Sequence, residues 1–184
     1  MYKLTEISKD WKIKADKLLK EKSLIEDLSK FGKVYFTGSY LYNLMTHGDI
    51  DIMIVRDKKF EKEEIFEIFK SLYFHNEFRS YFIGGDWDNP KIGKEFPNGH
   101  YLGFKEKINN EKWKFDIWFI SELEFENRKN MNPSMENLDN KQIELILECK
   151  KHRDENHLNI SSQGIYNLVL DNKIKNLDDF KNNL

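Results

Sequence analysis

Cysteine, proline and long apolar runs are scarce in this chain of 184 residues. Cys149 is the only cysteine, which excludes an intramolecular disulfide and a cysteine-based metal site. Residues 1–22 carry charges throughout and hold no continuous apolar stretch that would form a signal peptide or a membrane span. We therefore expect a soluble, cytoplasmic protein without a membrane partner.

A surplus of one charge is also missing. Lysine and arginine (30) nearly balance aspartate and glutamate (32), for a formal net charge of −2. This balance produces no broad positive field, which disfavours a long nucleic acid as partner without excluding it. The length favours a single domain over 1–184, large enough to bury a hydrophobic core.

Helical and strand patterns alternate along the chain and predict an α/β (α+β) fold. Two N-terminal helices are expected within 4–31, because apolar residues recur there at helical spacing. Ser23 and Glu26 have the spacing of a capping box for the second helix, which Gly32 can end. A short segment rich in β-forming residues follows and predicts a strand over 33–37.

The segment FTGSYLYNLMTHGDIDIMIV, residues 36–55, predicts a strand, a glycine turn, a short helix and a second strand. Leu41, Leu44 and Met45 have helical spacing, and Gly48 is expected to end that helix. The remaining elements are a helix over 60–73, a strand over 78–84, a β-hairpin over 100–120 with Asn109 and Asn110 at its tip, and a helical C-terminal part over 135–184.

Two charged residues interrupt the apolar second strand. Alternate side chains of a strand point to opposite faces, so Asp49 and Asp51 share one face while Ile50 and Ile52 share the other. That pattern alone is also typical of an edge strand with one solvated face. A third carboxylate, Asp116, is flanked by apolar residues in the later hairpin. If the two strands are neighbours, the three carboxylates repel one another unless a cation binds, and such oxygen ligands suit Mg²⁺ or Mn²⁺.

Gly38 and Ser39 lie where the first strand ends and the short helix begins. Backbone N–H groups and the positive end of a helix dipole are available to an anion at such a position. Gly38 permits close approach of a phosphate to the backbone, and the Ser39 hydroxyl can donate a hydrogen bond to it. Taken alone, Gly-Ser is typical of an ordinary turn and helix cap.

This combination resembles the signature of the DNA polymerase beta-like nucleotidyltransferase superfamily: Gly38 and Ser39, then Asp49 and Asp51 before an apolar run, and a later apolar-flanked Asp116. The resemblance covers about residues 33–120. It implies a mixed, twisted β-sheet flanked by helices, with helical additions at both ends of this core. It also implies an enzyme that transfers a nucleoside monophosphate from ATP or another NTP to a hydroxyl group and releases pyrophosphate.

By the same resemblance, Gly38 and Ser39 hold the triphosphate. Asp49 and Asp51 bind two divalent metal ions, and Asp116 binds the ion that activates the acceptor hydroxyl. The sequence shows no arginine-rich motif after the second strand and no appended recognition domain of the kind that template-directed or tRNA-end-adding members carry. It is then similar to small stand-alone members that modify antibiotics or toxin proteins.

The acceptor is therefore expected to be a small molecule or a protein side chain. Two alternatives stay open. One is a non-catalytic nucleotide-binding or antitoxin-like interaction module that kept the fold. The other is an RNA-modifying enzyme with a local basic cleft that the net charge conceals.

Other candidates have structural explanations of equal or greater weight. The segment HRDENHLN, residues 152–159, has the spacing of a kinase catalytic loop but lacks the other kinase motifs, and DWDN, residues 86–89, is typical of a turn. Two groups of residues have two open interpretations. The aromatic residues can stack on a base or pack in the core: Trp87, Phe96 and Trp118. The basic residues can reach a phosphate or serve as helix-end and surface charges: His47, Lys150, Lys151 and Arg153.

Overall fold

The computed structural model describes residues 3–76, 78–84, 96–129 and 133–183. Within these ranges the chain forms a five-stranded mixed β-sheet flanked by helices, which confirms the predicted α+β class. The strands are β1 (Lys33–Thr37), β2 (Gly48–Arg56), β3 (Ser80–Gly84), β4 (Gly99–Ile108) and β5 (Glu111–Ser121). The helices are α1 (Leu4–Glu21), α2 (Leu24–Ser29), α3 (Gly38–Leu41), α4 (Lys62–His75), α5 (Glu122–Lys129), α6 (Asn140–Asn156), α7 (Ser162–Leu170) and α8 (Leu177–Asn182), and a 3-10 turn covers Pro133–Asn137.

The strand order β1-β2-β5-β4-β3 brings two strands together that are far apart in the chain. β2 and β5 pair in parallel, and the other neighbouring strands pair antiparallel. The hairpin of β4 and β5 is confirmed, and Asn109 and Asn110 at its tip have the positive φ angles, 49° and 67°, that a tight turn requires.

One face of the sheet is buried under α1, α2 and α4. Ile50, Ile52 and Ile54 point to this face and are fully buried, as the alternation in β2 predicts. Each buried isoleucine contributes about 2 kcal/mol. A shift of one residue in the register of β2 would place Asp49 and Asp51 in the core instead, so burial of the isoleucines holds the carboxylates on the opposite face.

The C-terminal helices α6, α7 and α8 form a second apolar cluster, which also contains Leu44 from the segment after α3. The predicted helical C-terminal part includes the short helices α7 and α8, each of which has a side-chain cap. The Ser161 hydroxyl accepts a hydrogen bond from the Gly164 N–H at 3.0 Å, and the Asn176 side chain accepts one from the Asp179 N–H at 2.9 Å. No helix among the described residues is both long enough and apolar enough to cross a bilayer.

Several local predictions are wrong. Ser23 precedes α2, but its backbone is left-handed, with φ 49°, and its side chain caps no N–H group. α2 ends at Ser29, before Gly32. α3 is a single turn that ends at Leu41, so Gly48 begins β2 rather than ending a helix.

The early end of α3 has a local cause. Asn43 has a positive φ of 56°, and the Leu44 N–H bonds to the Ser39 carbonyl at 2.9 Å, so the chain turns away from the helix axis. α5 is absent from the sequence-based prediction, because its eight mostly charged residues have little apolar periodicity.

Candidate active site

Three aspartates converge at the centre of the sheet, on the face opposite the buried isoleucines. Asp49 and Asp51 lie on β2 and Asp116 on β5, where the parallel register puts Asp116 directly opposite Asp51. One carboxylate oxygen of each lies within 4.8 Å of the other two. The predicted neighbourhood of the two strands is therefore confirmed, and it depends on the parallel pairing of β2 with β5.

Burial and mutual repulsion disfavour the ionised forms of the clustered carboxylates. Burial raises the pKa of Asp51 to about 8, and the neighbouring carboxylates of Asp49 and Asp116 add to the shift. Burial also raises the pKa of Asp49, against the opposing charge of Lys114. Oδ1 of Asp49 is buried and accepts no hydrogen bond from the described residues. A cation with oxygen ligands would neutralise this cluster, so the three side chains fit a divalent ion such as Mg²⁺.

Asp116 has a partner on each of its two oxygens. Tyr101 of β4 donates its hydroxyl proton to Oδ1 at 2.5 Å, while Nζ of Lys114 contacts Oδ2 and lies 3.9 Å from Oδ1 of Asp49. Burial lowers the pKa of Lys114, but the charges of Asp49 and Asp116 outweigh burial and raise it overall. Burial and the bond to Asp116 both raise the pKa of Tyr101. The lysine ammonium therefore supplies part of the positive charge that the carboxylates favour.

The glycine turn lies beside these carboxylates because β1 pairs with β2. Thr37, the last residue of β1, lies opposite Asp51, and Gly38 follows with a φ of 63°, which glycine adopts without strain. Ser39 is 6% exposed and lines the same cavity as the aspartates. Because α3 has one turn only, its dipole is small, and the backbone N–H groups and the hydroxyl are the donors available to an anion.

Helix α1 supports that turn from behind. Ser8 donates to the Asn43 carbonyl at 2.6 Å, and Lys12 donates to the Tyr40 carbonyl at 2.9 Å. The Tyr40 hydroxyl in turn donates to Asp16 at 2.5 Å. Residues 8, 12 and 16 are four apart and lie on one helix face, so a single face of α1 holds the turn in place.

A cavity of about 430 Å³ opens over the carboxylates, a volume typical of small-ligand sites. Its lining includes all five residues that the sequence singles out: Gly38, Ser39, Asp49, Asp51 and Asp116. It also includes six residues that sequence reasoning misses: Tyr101, Lys114, Arg128, Ser162, Gln163 and Tyr166. Strand alternation puts Lys114 on the face of Asp116 and is a signal for it, whereas the other five depend on how strands and helices pack.

A second cavity of about 500 Å³ adjoins the first at the glycine turn. The two share Gly38, Met53 and Tyr166 among their lining residues. The wall of the second cavity is largely apolar and aromatic and includes Tyr35, Leu41, Tyr42, Phe125 and Met135, with the carboxylates of Glu126 and Glu136. Space for a ligand therefore extends from the carboxylates past Gly38 into the second cavity.

His47 lies at the edge of the carboxylate cluster. Its Nε2 is 4.0 Å from Asp49, and its Nδ1 is 3.5 Å from Asp154 of α6. The ring thus connects a carboxylate of the cluster to the C-terminal helices.

The three basic residues of α6 have different surroundings. Lys150 is buried and donates to the Leu44 carbonyl at 2.6 Å, and burial lowers its pKa to about 8. Arg153 donates to the Ser162 hydroxyl at 3.0 Å, beside the cavity. Lys151 pairs with Glu155 at 3.7 Å on the surface.

The aromatic candidates line the cavity and also pack on one another. Trp118 is stacked against Phe96, with ring centroids 5.9 Å apart, and contacts Tyr101 at 5.0 Å. Trp87 and the DWDN motif of residues 86–89 lie outside the described residues.

The comparisons with known proteins agree with the arrangement of these residues. The family model of the nucleotidyltransferase domain matches residues 17–142. No curated protein sequence matches the chain.

Solved structures with similar folds include two polymerases and an RNA terminal U-transferase. The Cid1 poly(U) polymerase, with Mg and 3′-dATP bound, has a TM-score of 0.56 at 17% identity, over 88% of this chain and 48% of that one. A cytoplasmic RNA terminal U-transferase has a TM-score of 0.55 at 16% identity, over 88% and 47%. The GLD-2–GLD-3 non-canonical poly(A) polymerase complex has 0.56 at 16% identity, over 92% and 57%. This chain thus spans about half the length of these structures, and such identities show a shared fold alone.

Proposed function

Because this chain belongs to the nucleotidyltransferase domain family, we propose that it transfers a nucleoside monophosphate from an NTP to an acceptor hydroxyl. The acceptor oxygen bonds to the α-phosphorus, the bond from that phosphorus to the leaving pyrophosphate breaks, and the proton of the acceptor hydroxyl passes to solvent. The observation that carries the proposal is the convergence of Asp49, Asp51 and Asp116 beside the turn of Gly38.

Asp49, Asp51 and Asp116 would hold Mg²⁺ or Mn²⁺. Two observations support this role: the buried Oδ1 of Asp49 accepts no hydrogen bond within the part of the chain that the structure describes, and the pKa of Asp51 is raised. Ions bound there lower the pKa of an acceptor hydroxyl and neutralise charge on a leaving pyrophosphate. The contribution of the protein is to hold three carboxylates on adjacent rigid strands, so that their positions are set before substrate arrives.

Gly38 and Ser39 would hold the triphosphate. Gly38 lines the cavity and places no Cβ atom between its backbone and a phosphate, and the Ser39 hydroxyl can donate to a phosphate oxygen. The face of α1 that supports this turn would keep the donors in position. The residues from 33 to 120 would form the catalytic core of a single domain, with the N-terminal and C-terminal helices packed around it.

The favoured acceptor is a small molecule or a protein side chain. The catalytic cavity is of small-ligand size, and α7 and Arg128 form part of its wall. An RNA acceptor is the second candidate, because the described fold is similar to the Cid1 poly(U) polymerase and the GLD-2 poly(A) polymerase. The net charge of −2 favours the first candidate over a long polymer.

Incubation with each α-labelled NTP and Mg²⁺, with and without cell extract, tests the proposal. We expect label on one acceptor together with pyrophosphate release. Asp49→Asn and Asp51→Asn should each lower transfer about 100-fold or more, since several kcal/mol of charge stabilisation are lost. Asp57→Asn is the matched control, because Asp57 is exposed just past the end of β2.

The place of the label decides among the alternatives. Label in RNA, with binding that weakens as salt rises, would favour the RNA-modifying enzyme. NTP binding without transfer to anything in the extract would favour the non-catalytic binding module.

A further inference from the structure

Asp116 is oriented by a residue of the neighbouring strand. Tyr101 lies on β4, two residues before Gly103, which is the strand partner of Asp116. The Tyr101 ring leans along the strand over Gly103, and its hydroxyl donates to Oδ1 of Asp116 at 2.5 Å. The Tyr101 ring also packs against Trp118, at 5.0 Å between ring centroids.

The contact needs a residue without a side chain at position 103. A Cβ atom built on Gly103 would lie 2.5 Å from the Tyr101 hydroxyl oxygen and 3.0 Å from two of its ring carbons. The end of a tyrosine side chain can move more easily than the strand backbone. An alanine at position 103 would therefore push the hydroxyl away from Asp116 and leave the sheet in place.

The two oxygens of Asp116 have different surroundings. Oδ2 faces the ammonium group of Lys114, so this oxygen points to the place where positive charge is held. Oδ1 is occupied by a neutral phenol, which donates a hydrogen bond without competing for a cation. A partner of this kind fixes the rotation of the carboxylate, so that Oδ2 stays on the side where Lys114 lies and where a metal ion would have to replace it.

We propose that Tyr101 is a positioning residue that holds Asp116 in its productive orientation, and that Gly103 is required for this contact. The inference rests on the proposed nucleotidyl transfer and adds Tyr101 and Gly103 to the residues that support it. Neither residue touches the triphosphate turn of Gly38 and Ser39, so the contact acts on the acceptor side of the site.

The kinetic test uses Tyr101→Phe, Gly103→Ala and the double variant. Loss of an outer partner of a metal-binding carboxylate lowers activity by about 10- to 100-fold. We expect that loss in kcat for each single variant, with the KM for NTP within about twofold of wild type. The double variant should be no worse than either single one, because both changes remove the same contact.

Tyr81→Phe is the matched control. Tyr81 lies on β3, and its hydroxyl accepts a hydrogen bond from the Phe78 N–H at 3.1 Å and donates one to the Asn76 carbonyl at 3.2 Å. Its loss should therefore affect the melting temperature and leave kcat unchanged. If Tyr101→Phe retains kcat within about twofold, or if the losses of the two single variants multiply in the double variant, the inference is wrong.

Mn²⁺ affinity, measured by electron paramagnetic resonance without NTP or acceptor, separates this inference from the proposed function. A wild type that binds Mn²⁺ but transfers nothing would defeat the proposed function. In that case Tyr101→Phe and Gly103→Ala should still weaken Mn²⁺ binding about tenfold, and unchanged affinity would overturn the positioning role. A wild type that binds no Mn²⁺ would overturn both.

Discussion

Gly38 and Asp51 lie so close together that a Cβ atom on the glycine would overlap Oδ2 of the carboxylate. The pairing of Thr37 with Asp51 across β1 and β2 produces this proximity. The glycine therefore has two roles that sequence reasoning does not separate. It adopts a positive φ of 63°, and it leaves room for an aspartate of the proposed metal site. The proposed triphosphate site and metal site are thus parts of one rigid unit.

Gly38→Ala should inactivate the protein without unfolding it. The left-handed backbone costs a non-glycine residue about 1 kcal/mol, whereas displacement of the Asp51 carboxylate by about 1 Å costs on the order of 100-fold in rate. Steady-state kinetics should show a lower kcat and a higher KM for NTP, and thermal melting should show a shift of only a few degrees. A variant with wild-type kinetics would contradict the close packing of residues 38 and 51.

Asp51→Asn should stabilise the metal-free protein. The folded state raises the pKa of Asp51 from 3.8 to about 8, so it holds the proton more tightly than the unfolded chain does. The stability from this proton is complete below about pH 4 and is lost as the pH rises through about 8. Wild type in EDTA should therefore lose stability from pH 5 to pH 8.5, and the variant should lose less. Thermal melting across this range measures the difference, and equal slopes would contradict the prediction.

Mg²⁺ should offset this loss of stability at higher pH in wild type. Metal ligands must be deprotonated, so the rise in melting temperature on adding Mg²⁺ should increase from pH 5 to pH 8.5. Asp51→Asn should show a much smaller rise at every pH. An equal response of both proteins to Mg²⁺ would mean that the ion binds elsewhere.

Lys114→Met should tighten metal binding. Nζ of Lys114 contacts Asp116 and lies 3.9 Å from Asp49, so a metal ion must compete with its charge. We expect Mn²⁺ affinity to rise several-fold, and the metal-free variant to melt at a lower temperature because the carboxylates lose a counter-ion. Lys112→Met, an exposed change on the same strand, is the control. Weaker Mn²⁺ binding in Lys114→Met would show that the lysine assists the ion.

The Cys149 thiol should not react in the native protein. It is fully buried in the second apolar cluster, and burial raises its pKa to about 12. Because the thiolate is the reactive form, labelling with a thiol reagent at pH 8 should be negligible until denaturant is added, and one thiol per chain should then react. Rapid labelling under native conditions would mean that α6 opens easily.

The strand pattern allows some of the site to be predicted, and its limits are physical. Asp49 and Asp51 alternate with buried isoleucines, so their common face follows from the period of a strand. The length of α3 does not follow, because the positive φ of Asn43 and the bond from Leu44 to Ser39 compete with helix continuation. The spacing of apolar residues in the sequence does not show whether such a hydrogen bond forms.

The sequence by itself determined which face of β2 carries the carboxylates, where the glycine turn lies, and the class of the fold, because these depend on local periodicity and on the backbone preferences of glycine. Only the tertiary structure decided that Asp116 lies opposite Asp51, since parallel pairing of β2 with β5 joins segments more than 60 residues apart. It also decided the contact of Tyr101 with Asp116 and the placement of α7 over the cavity. Those relationships come from sheet order and helix packing. Both depend on the burial of the whole core, so no local pattern in the sequence indicates them.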